Sequence, residues 1–158
     1  MRSEVITFQV AQPAAGVDFS FVPSQTDQTL LLAVTGKLVT GANAANRRPA
    51  LAIKDKSGLY VWSADAGYPQ VASLTTYYSW ARGASVGPDT TIAASERVSL
   101  PLPWLRLQPG DIVASITGLI DAADQWSAVV WRGIVGEWWE EETELANLAR
   151  AFAVATSG

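Results

Sequence analysis

The chain has 158 residues and a formal net charge of −4, and it contains neither histidine nor cysteine. The lack of cysteine excludes disulfides, zinc ribbons and thiol nucleophiles, and the lack of histidine excludes imidazole as a general base or metal ligand. The negative charge argues against nucleic-acid binding, which needs a basic surface to neutralise phosphates. We therefore expect one domain that is not an enzyme and has no cofactor and no bound transition metal.

Charged residues make up 16% of the chain, against about 25% in average soluble domains, and the chain has seven tryptophans. A small protein with so few charges is expected to have either a large core or an outer surface that partners cover. Residues 1–4 lack the apolar segment of a signal peptide. No run approaches about 18 apolar residues, so we expect no membrane span.

Alternating apolar and polar residues predict the first three strands, because successive side chains of a strand point to opposite faces. These strands begin near Ile6, near Val17 and at Gln28, and the turn 13–16 and the polar loop 24–28 separate them. The residues predicted to point inward are Ile6, Phe8, Val10, Val17, Phe19, Phe21, Leu30, Leu32, Val34 and Leu38.

The segment 55–58, Asp-Lys-Ser-Gly, predicts a hairpin turn in which Gly58 supplies a positive φ. Further strands are predicted at 71–82, near 98–100, where prolines end the pattern, and at 112–116. The inward residues predicted for this middle region are Leu51, Ile53, Leu74, Tyr78, Trp80, Ile112, Ala114 and Ile116.

The last predicted strand, 126–135, is apolar on both faces, which is typical of a central strand or an interface. Strict alternation divides it into one face with Trp126, Val130 and Ile134 and a second with Val129, Trp131 and Val135. We predict that the first face lies in the core. We predict that the second face is covered in a homo-oligomer, either a trimer or a ring, since a closed point group hides such a surface without forming fibres.

The tail alone has a helical period. Its apolar residues recur at intervals of three and four, and the acidic run 140–142 precedes them, where the positive end of a helix dipole favours negative charge. The stripe consists of Leu145, Leu148, Ala149 and Phe152. We predict an amphipathic helix that docks on a partner or folds over its own domain, with Leu145, Leu148 and Phe152 at the contact.

Together these elements predict a mainly β chain, an antiparallel β-sandwich of jelly-roll type with a C-terminal amphipathic helix. Residues 1–138 form the sandwich domain in this prediction, and residues 139–158 form the helix and tail.

Four groups of residues are candidates for chemistry. Calcium could bind the oxygens of Asp55, Ser57, Asp121 and Asp124, but turn formation explains these residues better, because no Asp-rich loop has calcium spacing. Paired carboxylates for glycoside hydrolysis would have to come from Glu137, Glu140, Glu141, Glu142 and Glu144. A run at one helix start does not provide two carboxyl groups across a cleft.

Aromatic and basic residues supply the other two groups. A sugar-stacking platform could comprise Trp62, Trp80, Trp104 and Trp126. Burial in the core or at a subunit interface is the favoured alternative, and Trp104, between Pro103 and Leu105, is the candidate exposed aromatic. The pair Arg47 and Arg48 either clamps a carboxylate of a partner or provides edge-strand charges that discourage aggregation, and both interpretations stay open.

Four short patterns carry a resemblance to known proteins. The first is Asn46-Arg47-Arg48-Pro49-x-Leu51-x-Ile53-x-Asp55-x-x-Gly58, and the second is Gln70-Val71-Ala72-Ser73 leading to Tyr77-Tyr78-x-Trp80-Ala81-x-Gly83. The others are Leu100-Pro101 ahead of Leu107-x-Pro109-Gly110-Asp111, and Asp124-Gln125-Trp126-Ser127. Over about residues 17–137 the chain resembles small virion structural proteins of tailed bacteriophages, of the decoration, head–tail or tail-associated kind.

The resemblance implies a non-enzymatic β-sandwich that is made in the host cytoplasm and assembles in many copies in the virion. Its partners would be further copies of itself and other virion proteins, such as the major capsid protein or neck and tail proteins. It implies no catalytic residues. The alternative function is a carbohydrate-binding β-sandwich module on a host-recognition appendage.

Overall fold

The computed structural model describes residues 3–85, 87–89 and 96–136. This part of the chain is mainly β and contains no helix. Its strands are β1 Glu4–Gln9, β2 Ser20–Phe21, β3 Gln28–Val39, β4 Arg48–Lys54, β5 Tyr60–Asp65, β6 Thr75–Ala81, β7 Gly87–Asp89, β8 Glu96–Pro101, β9 Arg106–Leu107, β10 Ile112–Gly118 and β11 Gln125–Gly136. The predicted helix and the domain boundary after residue 138 lie outside the described residues.

The strands form two sheets. The first sheet has the order β1-β11-β3-β6-β8-β7, and β9 pairs with β3 beyond the end of β6. The second sheet has the order β2-β10-β4-β5. Neighbouring strands are antiparallel except β6 and β8, which run parallel. Strands β1 and β5 therefore each end a sheet.

One hydrophobic core is shared by both sheets. The first sheet contributes Trp80, and the second contributes Leu51, both fully buried. Two aromatic pairs join residues of β2 and the segment before it to β11. The ring of Phe19 meets Trp126 edge-on at 5.2 Å between centroids, and Phe21 stacks on Trp131 at 5.8 Å. Each such pair contributes about 0.5–1.5 kcal/mol beyond the area it buries.

The fully buried residues include four that the alternation pattern predicts to face inward: Phe19, Leu51, Ile53 and Trp80. Five others are only half-buried: Leu32, Leu74, Ile112, Ile116 and Val130. Phe8 is 58% exposed, so its prediction is wrong. It lies on the edge strand β1, and the facing strand β2 pairs over only two residues and does not cover it.

The face of β10 that points into the core is the face that the alternation pattern assigned to the outside. The core-facing positions are Val113, Ser115 and Thr117, and Ile112 and Ile116 lie on the opposite face. The buried hydroxyls are satisfied, because both Ser115 and Thr117 donate to Asp18, at 2.7 and 2.6 Å. Polar residues can thus replace apolar ones on the inner face, since a hydrogen-bonded hydroxyl avoids the cost of burial.

A bulge reverses the phase of β11. Its register with β3 shifts between Ser127 and Val130, where Ala128 has φ +49°. Trp126 before the bulge and Val129 after it therefore both point into the core, and Val130 points out. Gly36 lies opposite the bulge, and a Cβ there would come within 3.1 Å of the Trp126 ring.

The bulge overturns the predicted interface on β11. Val129 and Trp131 are 1% and 3% exposed within the monomer, and Val135 packs against the same core. This face is not available to another subunit. A second register shift, between Arg132 and Gly133, leaves Leu32 of β3 without a ladder partner. That shift explains why Leu31, and not Leu32, lies in the core.

Replacement of Trp80 by alanine should lower the free energy of unfolding by about 3–5 kcal/mol, because it empties a large buried site. Trp80→Phe should lower it less, since the indole Nε1 has no hydrogen-bond partner among the described residues. Trp104→Ala is the control, because Trp104 is 80% exposed. Urea unfolding measures all three, and a loss below about 1 kcal/mol for Trp80→Ala would contradict the burial of this side chain.

Candidate functional site

The most elaborate polar arrangement in the described residues is an ion pair between Arg47 and Asp124. The guanidinium Nε lies 2.8 Å from Oδ2 and Nη2 lies 3.0 Å from Oδ1, so the pairing is bidentate. Both side chains are 0% exposed. A bidentate geometry gives a buried ion pair the strongest attraction, which offsets the free-energy cost of desolvating both charges.

The remaining hydrogen-bonding capacity of the pair is used by backbone groups. Arg47 Nη1 donates to the carbonyls of Asn43 and Ala45, at 2.6 and 2.8 Å. Asp124 accepts from the N–H groups of Gly41 and Asp121, each at 2.8 Å. The ion pair thereby joins the β3–β4 loop to the β10–β11 loop.

A third loop is attached through Gln70. Its backbone exchanges two hydrogen bonds of 2.9 Å with the backbone of Arg47. Its buried side chain donates to the carbonyls of Leu38 and Leu74 and accepts from the Tyr78 hydroxyl at 3.1 Å. The β5–β6 loop therefore belongs to the same network, which we call the loop clamp: Arg47, Gln70 and Asp124 with their hydrogen-bond partners.

The two neighbouring arginines, Arg47 and Arg48, lie in different environments. Arg47 is buried against its own chain, so neither the partner clamp nor the edge charge describes it, and both predictions are wrong for this residue. Arg48 is exposed at the start of β4. Sequence reasoning missed the intramolecular partner because Asp124 lies 77 positions further along the chain.

Hydrogen bonding lowers the pKa of both carboxyl groups in the β10–β11 loop. For Asp124 the largest influence is burial, which raises the pKa. The hydrogen bonds from Arg47 and from the N–H groups of Asp121 and Gly41 together outweigh burial, so the pKa is lowered. The pKa of Asp121 is lowered chiefly by the N–H of Ala123 and then by the Asn43 amide.

The candidate calcium ligands serve structure. Asp55 Oδ1 accepts from the N–H groups of Ser57 and Leu59, at 2.8 and 3.0 Å, and Gly58 has φ +85°. This is the predicted hairpin turn, between β4 and β5. In the ranges that the structure describes, no three His, Cys, Asp or Glu residues are grouped so that they could hold a metal ion.

The four tryptophans do not form a platform. Trp80 and Trp126 are fully buried and Trp62 is half-buried. Trp104 is 80% exposed, and the guanidinium carbon of Arg82 lies 3.8 Å from its ring centroid. That distance fits a cation–π contact, and burial lowers the pKa of Arg82.

Several predicted residues lie outside the described part of the chain. They are the helix contacts Leu145, Leu148 and Phe152, together with Glu137, Glu140, Glu141, Glu142 and Glu144.

Two groups of exposed apolar side chains occur at edge strands. On β1, Val5 is 54% and Phe8 58% exposed. Leu59, just before β5, and Tyr60 and Val61 at its start are 56–68% exposed. Sequence analysis missed both groups as surface sites, because alternation predicts which residues share a face but not which strand ends a sheet.

The two edge groups lie on opposite sides of the paired sheets. Phe21 of β2 stacks on Trp131 of β11, which is the neighbour of β1, so β2 lies on the β1 side. Strand β5 is three strands away from β2 in the second sheet, which is about 14 Å. We call these surfaces the β1 edge (Val5, Phe8) and the β5 edge (Leu59, Tyr60, Val61).

Neither protein-family models nor curated proteins match this chain. Within the described residues, no helix has the length and apolar character needed to cross a membrane.

The loop clamp should make stability depend on acid pH. Because the pKa of Asp124 is lower in the folded chain than its ordinary value of about 3.9, its stabilising contribution is complete above that pH and is lost as pH falls through the folded value. Asp124→Asn should therefore lose less stability than the natural chain between about pH 5 and pH 2. Urea unfolding across this range measures the difference, with the exposed Asp65→Asn as control. Parallel curves for the natural chain and Asp124→Asn would contradict the role of this carboxylate.

Proposed function

We propose that the protein is a non-enzymatic structural component of a tailed-bacteriophage virion, present in many copies as a capsid decoration or a head–tail component. The observation that carries the proposal is the pair of apolar edges on opposite sides of the molecule. Exposed edge strands that carry apolar residues are association surfaces, because their unpaired N–H and C=O groups and side chains remain available to another chain. The proposed site of action is the virion, after synthesis in the host cytoplasm.

The order of strand pairing supports a β-sandwich of jelly-roll type. Eight strands pair in a nested way, β1 with β11, β2 with β10, β3 with β6 and β4 with β5. One long hairpin rolled into two sheets has this pattern, and double-sheet jelly rolls occur in viral capsid and lectin domains. Strands β7, β8 and β9 are then additions between the sixth and seventh strands of the roll.

The use of polar groups supports a role without catalysis. Asp18 is held by Ser115 and Thr117, and Asp124 by Arg47 and two backbone N–H groups. These carboxylates therefore act within the fold. The chain has no histidine or cysteine to replace them as nucleophile or base.

The position of the two edges favours head-to-tail assembly. When the β1 edge of one copy meets the β5 edge of the next, the contact is heterologous, and such contacts close into rings if the rotation allows. A ring of copies is the form of homo-oligomer that we propose. Residues 139–158, as an amphipathic helix, would dock on a neighbouring copy or on a capsid or neck protein.

A carbohydrate-binding module on a host-recognition appendage is the second candidate. The observation that favours it is Trp104, whose ring is 80% exposed. One exposed indole is a small platform, however, because the other candidate tryptophans are buried or half-buried.

Single charges on the edges should block assembly. Phe8→Lys on β1 and Val61→Lys on β5 each place a lysine where an apolar contact forms. We expect the natural chain to be oligomeric by light scattering, and each variant to be monomeric and depleted from purified phage particles by quantitative mass spectrometry. Trp104→Lys, which changes an aromatic residue away from both edges, should assemble normally.

Mixing the two variants separates a heterologous contact from a symmetric one. Each variant keeps one natural edge, so an equimolar mixture should form dimers that contain one copy of each and nothing larger. Natural-size assemblies of either variant alone would contradict the edge contact. Particles that lack the natural chain would contradict the virion role itself.

A further inference from the structure

A groove of about 360 Å³ lies on the outer face of the first sheet. This volume is within the range of about 300–1,000 Å³ that is usual for small-ligand sites. Its side chains come from the outward positions of β3, β6 and β8: Thr35, Lys37, Tyr77, Ser79, Arg97 and Ser99.

The register of the three strands arranges these side chains in two rows. Lys37 pairs with Tyr77, and Tyr77 pairs with Arg97. The tyrosine therefore lies between two cations, whose backbones are two strand spacings apart, or about 10 Å. The second row consists of Thr35, Ser79 and Ser99, three hydroxyl groups about 7 Å further along the strands.

One of the three non-glycine residues with positive φ in the described part of the chain borders this groove. Ala128, with φ +49° at the bulge of β11, is one of its lining residues. A side chain held in the left-handed region costs of order 1–3 kcal/mol, and such residues concentrate at binding sites. The bulge lets β11 bend beside Thr35, so the groove has a wall on that side.

We propose that this groove binds an acidic oligosaccharide, that is, a sugar chain that carries carboxylates. The Tyr77 ring is 40% exposed and offers a flat face for the C–H surface of a sugar ring. Lys37 and Arg97 stand on either side of it to pair with carboxylates on that sugar or the next. The row of hydroxyls both donates and accepts hydrogen bonds, which matches sugar hydroxyl groups.

The groove presents two basic side chains, Lys37 and Arg97. Neither Lys37 nor Arg97 forms an ion pair within the described residues, where Arg47–Asp124 is the ion pair found.

Calorimetric titration with trigalacturonate and with a sialic acid trimer tests the proposal, and fully methyl-esterified trigalacturonate is the uncharged control. We expect the natural chain to bind at least one of the acidic trimers and to bind the ester about tenfold more weakly or worse. Lys37→Met, Arg97→Met and Tyr77→Ala should each weaken binding about tenfold or more. Tyr77→Phe and the remote Lys56→Met should bind like the natural chain.

Three results would overturn the proposal. The first is no binding of either acidic trimer up to about 10 mM. The second is equal binding of acid and ester, or an equal loss in Lys56→Met, which would indicate general attraction. The third is a change of oligomer mass in Lys37→Met or Arg97→Met, which would make the groove a protein contact. Urea unfolding of each variant checks that the fold is intact, since exposed substitutions change stability by about 0.5 kcal/mol at most.

Discussion

The bidentate ion pair between Arg47 and Asp124 is the interaction on which the arrangement of the loops depends. Two fully buried charges are stable only when the surrounding groups satisfy their hydrogen-bonding capacity, because an unpaired buried charge costs several kcal/mol. Here the carbonyls of Asn43 and Ala45 and the N–H groups of Gly41 and Asp121 provide that satisfaction. The pair therefore determines where three loops meet.

The composition of the surface follows from which apolar side chains the core buries. The core contains side chains of β11 that strict alternation would place on opposite faces. The bulge at Ala128 turns Val129 and Trp131 inward, to the same side as Trp126. Among the apolar residues left outside are those of the β1 edge and the β5 edge. Within the described residues these edges are uncovered, and their exposure is the physical ground for proposing assembly.

Local sequence patterns predicted the positions of the strands better than they predicted which face of each strand points into the core. The turn at Asp55 and the long strand β3 follow from nearby residues alone, and the structure confirms both. The inward hydroxyls of β10, the bulge of β11 and the burial of Arg47 depend on partners about 80 to 100 residues away. A single unpaired residue in a ladder reverses every later side chain of the strand, so alternation could not predict the core side of β11. The groove around Tyr77 was also missed, because its residues come from three strands and lie side by side only through the strand register.

Hydrogen exchange of Arg47→Met, read by mass spectrometry, tests the central role of the ion pair most directly. The account predicts faster exchange in three loops, at 41–47, 67–74 and 118–125, while the ladders between β3, β6 and β11 keep their protection, because the pair orders the loops and the aromatic core orders the sheets. The neighbouring exposed variant Arg48→Met should exchange like the natural chain. Unchanged exchange in the three loops of Arg47→Met, or equal acceleration across the whole chain, would contradict the account.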